Sequence, residues 1–290
     1  MADLRSPHQG PLKWNANVAN EREAIGSIVP GIPPFAPGHV WLAGAGPGDP
    51  GLLTIYALAG LRSADVIVHD ALVGSRVLEL AGPQARLEFA GKRGGKPSAV
   101  QADISNRLIE LAKAGCRVLR LKGGDPCVFG RGGEEAMALA AAGVPFRIIP
   151  GVTAGLAALA AASIPATMRE VNRAIILAAG HGGEDDSFDW GPLARSGEPM
   201  VLYMVLHNLE RIAAALIKAG RKPETPAAVI AAATTGQERV LVSTLDRVAR
   251  AAREHAFEPP AVVVVGEIVA MRNRLLRDLC PDDPAIRNPR

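Results

Sequence analysis

Short apolar runs and longer amphipathic stretches alternate along most of this 290-residue chain. Val40–Ala43, Val66–His69, Leu87–Ala90, Val118–Lys122 and Phe146–Ile149 are four- or five-residue runs of the kind that form buried strands. Helical periodicity fills 52–63, 75–81, 100–114 and 133–142 between them. The third helix has start chemistry, with Ser98 as cap and Gln101 reaching back three residues, and Gly115 ends it. Strands and helices in this order predict α/β architecture with a largely parallel sheet. A second alternation follows: Ala174–Ala178, Met200–Val205, Ala227–Ala232, Val240–Ser243 and Ala261–Val265, with helical patterns at 208–219, 245–255 and 267–279. The short turn after Ala232 predicts antiparallel pairing there.

Between the two alternations, 152–164 is a helix of small apolar residues flanked by prolines. A helix apolar on all sides is buried on all sides, so the other domain or a second copy of the chain must cover it. The expected organisation is a loose tail over 1–37, an α/β domain over 38–150, a linker helix and connection over 151–170, a second α/β domain over 171–280, and a tail over 281–290.

Composition narrows the function classes. The chain is 48% hydrophobic and 21% charged, with net charge +3, which is ordinary for a globular protein and no sign of a nucleic-acid or membrane partner. Aromatics at 4% are too few for a base-stacking reader. The alanine-rich 152–164 is too short to span a bilayer, and the N-terminus lacks the apolar core of a signal peptide. Cys116, Cys127 and Cys280 form neither a disulfide framework nor a zinc pattern, so a reducing, cytoplasmic compartment is expected. His181 and His207 have no ligand spacing, and no metal is assigned.

Charge is distributed unevenly. Residues 86–131 hold ten Lys and Arg against four Asp and Glu, a local +6. If those cations converge on one cleft, the ligand is a polyanion. Gly44–Gly51 after the first strand reads either as a ligand-approaching turn or as a tight strand–helix connection. Asp49 stands where a dinucleotide fingerprint has its third glycine, which argues against NAD. Asp70, at a strand's carboxyl end, either faces the active edge or caps its loop. The glycines around Arg131 read as clearance for a bound molecule, and Glu134 complements a helix dipole. Thr153 is a helix cap or a ligand hydroxyl contact. Met204 alone reads more readily as core.

Taken in order, GAGPGDPGLLT (44–54), DALV (70–73), GKRGG (91–95), RLKGGDPCVFGRGGEE (120–135), PGVTAG (150–155), IPATMR (164–169), GH (180–181), DW (189–190) and YM (203–204) resemble the uroporphyrinogen-III C-methyltransferase family over roughly 38–270. The resemblance implies two α/β/α domains of the tetrapyrrole-methylase type (class III methyltransferases), with the active site in the cleft between them. It implies S-adenosylmethionine (SAM) as methyl donor, S-adenosylhomocysteine as product, and no metal. The implied reaction is C-methylation of uroporphyrinogen III at two adjacent pyrrole rings, giving precorrin-2 through precorrin-1 for cobalamin or sirohaem synthesis; another precorrin methylase is the alternative. Carried over by position, Pro47, Gly123, Gly124, Asp125, Val128, Thr153, Ala154, Met204 and Ala233 are the implied SAM contacts. Asp70, Lys92 and Arg131 are the implied catalytic residues, and Arg131, Glu134 and Arg169 the implied tetrapyrrole contacts. A homodimer is also implied. Met168, Ala178–Ala179, Ala233 and Val205 depart from the family's usual residues. With 37 residues ahead of the match, a chain without the additional domain of multifunctional sirohaem synthases is expected.

Overall fold

The computed structural model describes residues 31–90, 101–180 and 188–279. Strands β1 (Val40–Gly44), β2 (Val66–His69), β3 (Arg86–Phe89), β4 (Val118–Lys122) and β5 (Phe146–Ile149) form one parallel sheet in the order β3-β2-β4-β1-β5. Side-chain alternation builds a core on each face. Trp41, Ala43, Leu119 and Leu121 pack under α1 (Ile55–Ser63) and α2 (Ser75–Leu78). Val40, Leu42, Val68 and Val118 pack under α3 (Gln101–Lys113) and α4 (Gly132–Ala141). Thr54 starts α1, its hydroxyl accepting from Ala57 N at 3.1 Å. The cap expected at Ser98 lies outside the described residues.

A mixed sheet follows, with β6 (Ile176–Ala179), β7 (Met200–Tyr203), β8 (Pro226–Ala231), β9 (Arg239–Thr244) and β10 (Ala261–Val265) in the order β6-β7-β10-β8-β9. Only β6 and β7 pair in parallel. The antiparallel pairing expected after Ala232 is β8 with β9, from Pro226↔Thr244 to Ala231↔Arg239. Helices α5 (Ala154–Ala161) and α9 (Ala270–Leu279) flank one face, and α6 (Gly191–Arg195), α7 (Leu209–Lys218) and α8 (Val248–Glu254) the other. Each sheet thus lies between two helical layers.

Two segments depart from the sequence reading. Phe35, placed in the N-terminal tail, is buried and stacks on Trp41 with ring centroids 4.3 Å apart, because its backbone carbonyl accepts from Arg117 Nε at 2.9 Å. Helix α5 is not buried on every side: Gly155, Ala157, Ala158 and Leu159 are buried, the last two in the core of the mixed sheet, while Leu156 and Ala160 are exposed.

The site follows from the order of the parallel sheet. The chain leaves β1 toward β2 on one side and leaves β4 toward β5 on the other. β1 and β4 are therefore neighbours whose carboxyl-end loops diverge, which is where open α/β sheets bind ligands.

Candidate active site

Three glycine-bearing loops meet at that point. Gly46 N donates to Gly124 O (3.1 Å) and Gly124 N returns a bond to Gly46 O (2.7 Å), pinning the β1 loop to the β4 loop. A Cβ on Gly44 or Gly151 would stand 2.4 or 2.2 Å from Gly124 O, so these glycines let three backbones touch. The same test corrects the reading of Gly130 and Gly132. Their Cβ atoms would meet Pro126 O at 2.7 and 2.4 Å, so the space they leave is taken by this chain's own carbonyl and not by a bound molecule.

Below the loops lies a cavity of about 350 Å³, within the size range of small-molecule sites. Pro47, Val128, Thr153, Ala154 and Met204 line it beside the backbone of Gly123, Gly124 and Asp125. Met204, which alone read as core, has φ 55° and is half exposed. Asp70 lines the cavity and also caps its own loop, its carboxylate accepting from Leu72 N (2.9 Å) and Gly123 N (3.2 Å). Asp125 does likewise for Cys127 N (2.8 Å) and Gly151 N (3.0 Å). Thr153 stands at the start of α5, but its hydroxyl does not cap the helix and lies 2.9 Å from Tyr203 Oη.

Arg131 also lines the cavity, from a left-handed backbone (φ 60°) that starts α4. Its guanidinium forks onto Glu134, with Nε to Oε1 at 2.9 Å and Nη2 to Oε2 at 2.6 Å. The pairing holds the Arg131 pKa above and the Glu134 pKa below their ordinary values. Among the other residues singled out, Glu134 reaches the site through Arg131. Ala233 lies beside Gly48, and Arg169 is exposed; neither lines the cavity. Lys92 lies outside the described residues.

The expected convergence of the 86–131 cations is only partial. Arg86 and Arg107 pair with Glu88, and Arg117 with Asp65, so these cations are taken up by the chain's own carboxylates. Among the described residues of that segment, Arg120, Lys122 and Arg131 line the cavity.

Two features were missed. Arg120 and Lys122 are buried on β4, and both donate to Glu135 Oε1 at 3.1 Å, an oxygen that also accepts from Gln101 Nε2 at 3.0 Å. Burial, with the Arg120 charge beside it, holds Lys122 below the ordinary lysine range. The sequence signal was two cations at i and i+2 inside a strand read as buried. Tyr203 is the second. Its hydroxyl accepts from Gly155 N (2.9 Å), and its ring meets that of Phe129 at 4.9 Å, tying α5, the mixed sheet and the β4 loop together. Only contacts between residues far apart in sequence reveal this role.

Apolar side chains and glycine-loop backbone line the cavity together with the charged side chains of Asp70, Arg120, Lys122 and Arg131. That suits a nucleoside carrying a sulfonium, for which Pro47, Val128, Met204 and the Gly123–Asp125 backbone are the fitting residues. Fold and site together define a two-sheet α/β methylase. The chain belongs to the tetrapyrrole (corrin/porphyrin) methylases, whose family model matches residues 39–249.

The relatives are specific. The chain is 54% identical over 254 residues to a uroporphyrinogen-III C-methyltransferase from a Sinorhizobium species, covering 87% of this chain and 91% of that one. It is 45% identical over 272 residues to a sirohaem synthase of Pseudomonas fluorescens, covering 92% of this chain but only 58% of that protein. Among solved structures, uroporphyrin-III C-methyltransferase from Thermus thermophilus, complexed with S-adenosylhomocysteine, superimposes with a TM-score of 0.71 at 38% identity, covering 80% of this chain and 99% of that one.

Proposed function

We propose that this protein transfers methyl groups from SAM to carbon atoms of two adjacent pyrrole rings of uroporphyrinogen III, forming precorrin-2 through precorrin-1. The observation that carries the proposal is the cavity at the β1–β4 divergence, in which methylase loops face a wall bearing Asp70, Lys122 and Arg131. SAM supplies an electrophilic methyl group when bound. The chain's own part is alignment: the pinned β1 and β4 loops fix the backbone that lines the cavity, and Tyr203 fixes Thr153. Arg131 engages a substrate carboxylate, and Asp70, at the end of β2, accepts the proton released after methylation. Pro47, Gly123, Gly124, Asp125, Val128, Thr153, Ala154 and Met204 hold SAM, with Ala233 behind the β1 loop; Glu134 and Arg169 complete the substrate side, and Lys92 is the further catalytic residue that the resemblance implies.

The proposal extends to a homodimer. Leu156 and Ala160, at i and i+4, form an exposed apolar strip on α5, Val152 is exposed just before the helix, and Phe146 and Ile148 are exposed on the edge strand β5. A second copy covering this apolar surface accounts for it. Cytoplasmic location and a role in sirohaem or cobalamin synthesis belong to the same proposal. Incubating the purified protein with SAM and uroporphyrinogen III and weighing the product tests it. A substrate heavier by two methyl groups is expected, and unchanged substrate contradicts it.

A further inference from the structure

β4 is a central strand, yet it buries two cations. Val118, Arg120 and Lys122 share the face under α3 and α4. The side chains of Arg120 and Lys122 are only 3% and 5% exposed. A buried charge is retained where something pairs with it, since an unpaired one is costly. Glu135 supplies one negative charge, through a single oxygen that already takes three donors. Arg120 Nε binds that oxygen and Arg120 Nη1 binds Val68 O at 3.3 Å, so Arg120 and Glu135 already make a neutral buried pair. Lys122 is the second cation on that one oxygen, and it lines the cavity. Asp70 shares that space and its charge acts on Lys122, while its carboxylate oxygens accept from the Leu72 and Gly123 amides.

Resting on the proposed function, we propose that Lys122, backed by the Arg120–Glu135 pair, is a carboxylate-binding subsite at the cavity wall. Its ammonium carries three N–H donors, and Glu135 is its one hydrogen-bond acceptor among the described residues. A ligand carboxylate supplies the missing acceptors. Two ligands bring that chemistry: a side-chain carboxylate of the tetrapyrrole, or the amino-acid carboxylate of SAM.

The test compares Lys122→Met and Lys122→Arg with the wild type. Three quantities are read: the KM for uroporphyrinogen III, the calorimetric Kd for S-adenosylhomocysteine, and the Kd for 5′-methylthioadenosine, which lacks the amino-acid portion. The expected result is a loss of tenfold or more with Met, retained within about threefold with Arg. A raised KM assigns the tetrapyrrole carboxylate; a weaker S-adenosylhomocysteine Kd with unchanged methylthioadenosine binding assigns that of SAM. If neither changes, or both nucleosides weaken equally, the subsite is overturned. Lys122→Gln, which keeps a donor for Glu135, stands in if the Met variant fails to fold. Wild-type turnover is the control: its absence overturns the proposed function, whereas normal wild-type turnover with an unaffected Lys122→Met overturns the subsite alone.

Discussion

Arg131 begins α4 in a left-handed conformation, uncommon for a residue with a side chain, and that backbone directs a forked ion pair toward the cavity. Both partners are half exposed, so the pair adds little to stability and its value lies in ligand contact. Arg131→Ala is expected to lower kcat/KM for the tetrapyrrole by roughly ten- to a hundredfold, the cost of a charge-assisted bond, while calorimetry finds SAM affinity unchanged. Equal loss of SAM binding would put Arg131 on the wrong ligand. Tyr203→Phe removes one hydroxyl and leaves Gly155 N and Thr153 Oγ1 without their partner. SAM affinity should fall about tenfold with secondary structure intact, since a buried donor left unpaired costs about 1–3 kcal/mol. An unchanged Kd would reduce Tyr203 to core packing. At this scale the sequence exposed residues in glycine-rich loops, where motif and position coincide. It hid Glu135 and Tyr203, whose roles are contacts made 15 and 50 residues away.

At the scale of elements, the strand–helix alternation was legible because apolar periodicity and core burial have the same physical origin. The purpose of individual glycines was not, because a glycine that admits a ligand and one that admits a neighbouring carbonyl look identical in sequence. Gly124 combines both demands, with φ 69° and Ala154 N only 3.3 Å from a built Cβ. Gly124→Val should cost about 1–3 kcal/mol of stability yet leave a folded protein whose SAM affinity is at least tenfold weaker. A variant that binds SAM normally would remove the β4 loop from the donor site. The β4 network also has a pH signature. Burial disfavours the charged form of Lys122, so the folded protein releases that proton below the unfolded lysine value of 10.5. Between those two values the unfolded chain holds more protons, and stability rises with pH. Lys122→Met should lose that rise in denaturant unfolding between neutral pH and 10.5. A slope identical to wild type would mean that Lys122 is not desolvated.

For the whole molecule, the edge of the parallel sheet and one side of α5 present exposed apolar residues among those described. Light scattering should give about twice the 30.2 kDa chain mass, and Leu156→Asp should shift it toward one chain. A stable, active monomer would contradict the dimer and its account of α5. The sequence reading buried this helix on every side and could not show which side stays exposed in one chain, because a stripe is invisible in a segment apolar all round. The central claim is that the cavity at the β1–β4 divergence brings SAM and uroporphyrinogen III together for carbon methylation. Mass spectrometry of the product after incubation with both tests it most directly. A gain of two methyl groups, formed more slowly by Arg131→Ala, is the predicted result; substrate recovered unchanged from folded, SAM-bound wild-type protein would contradict it.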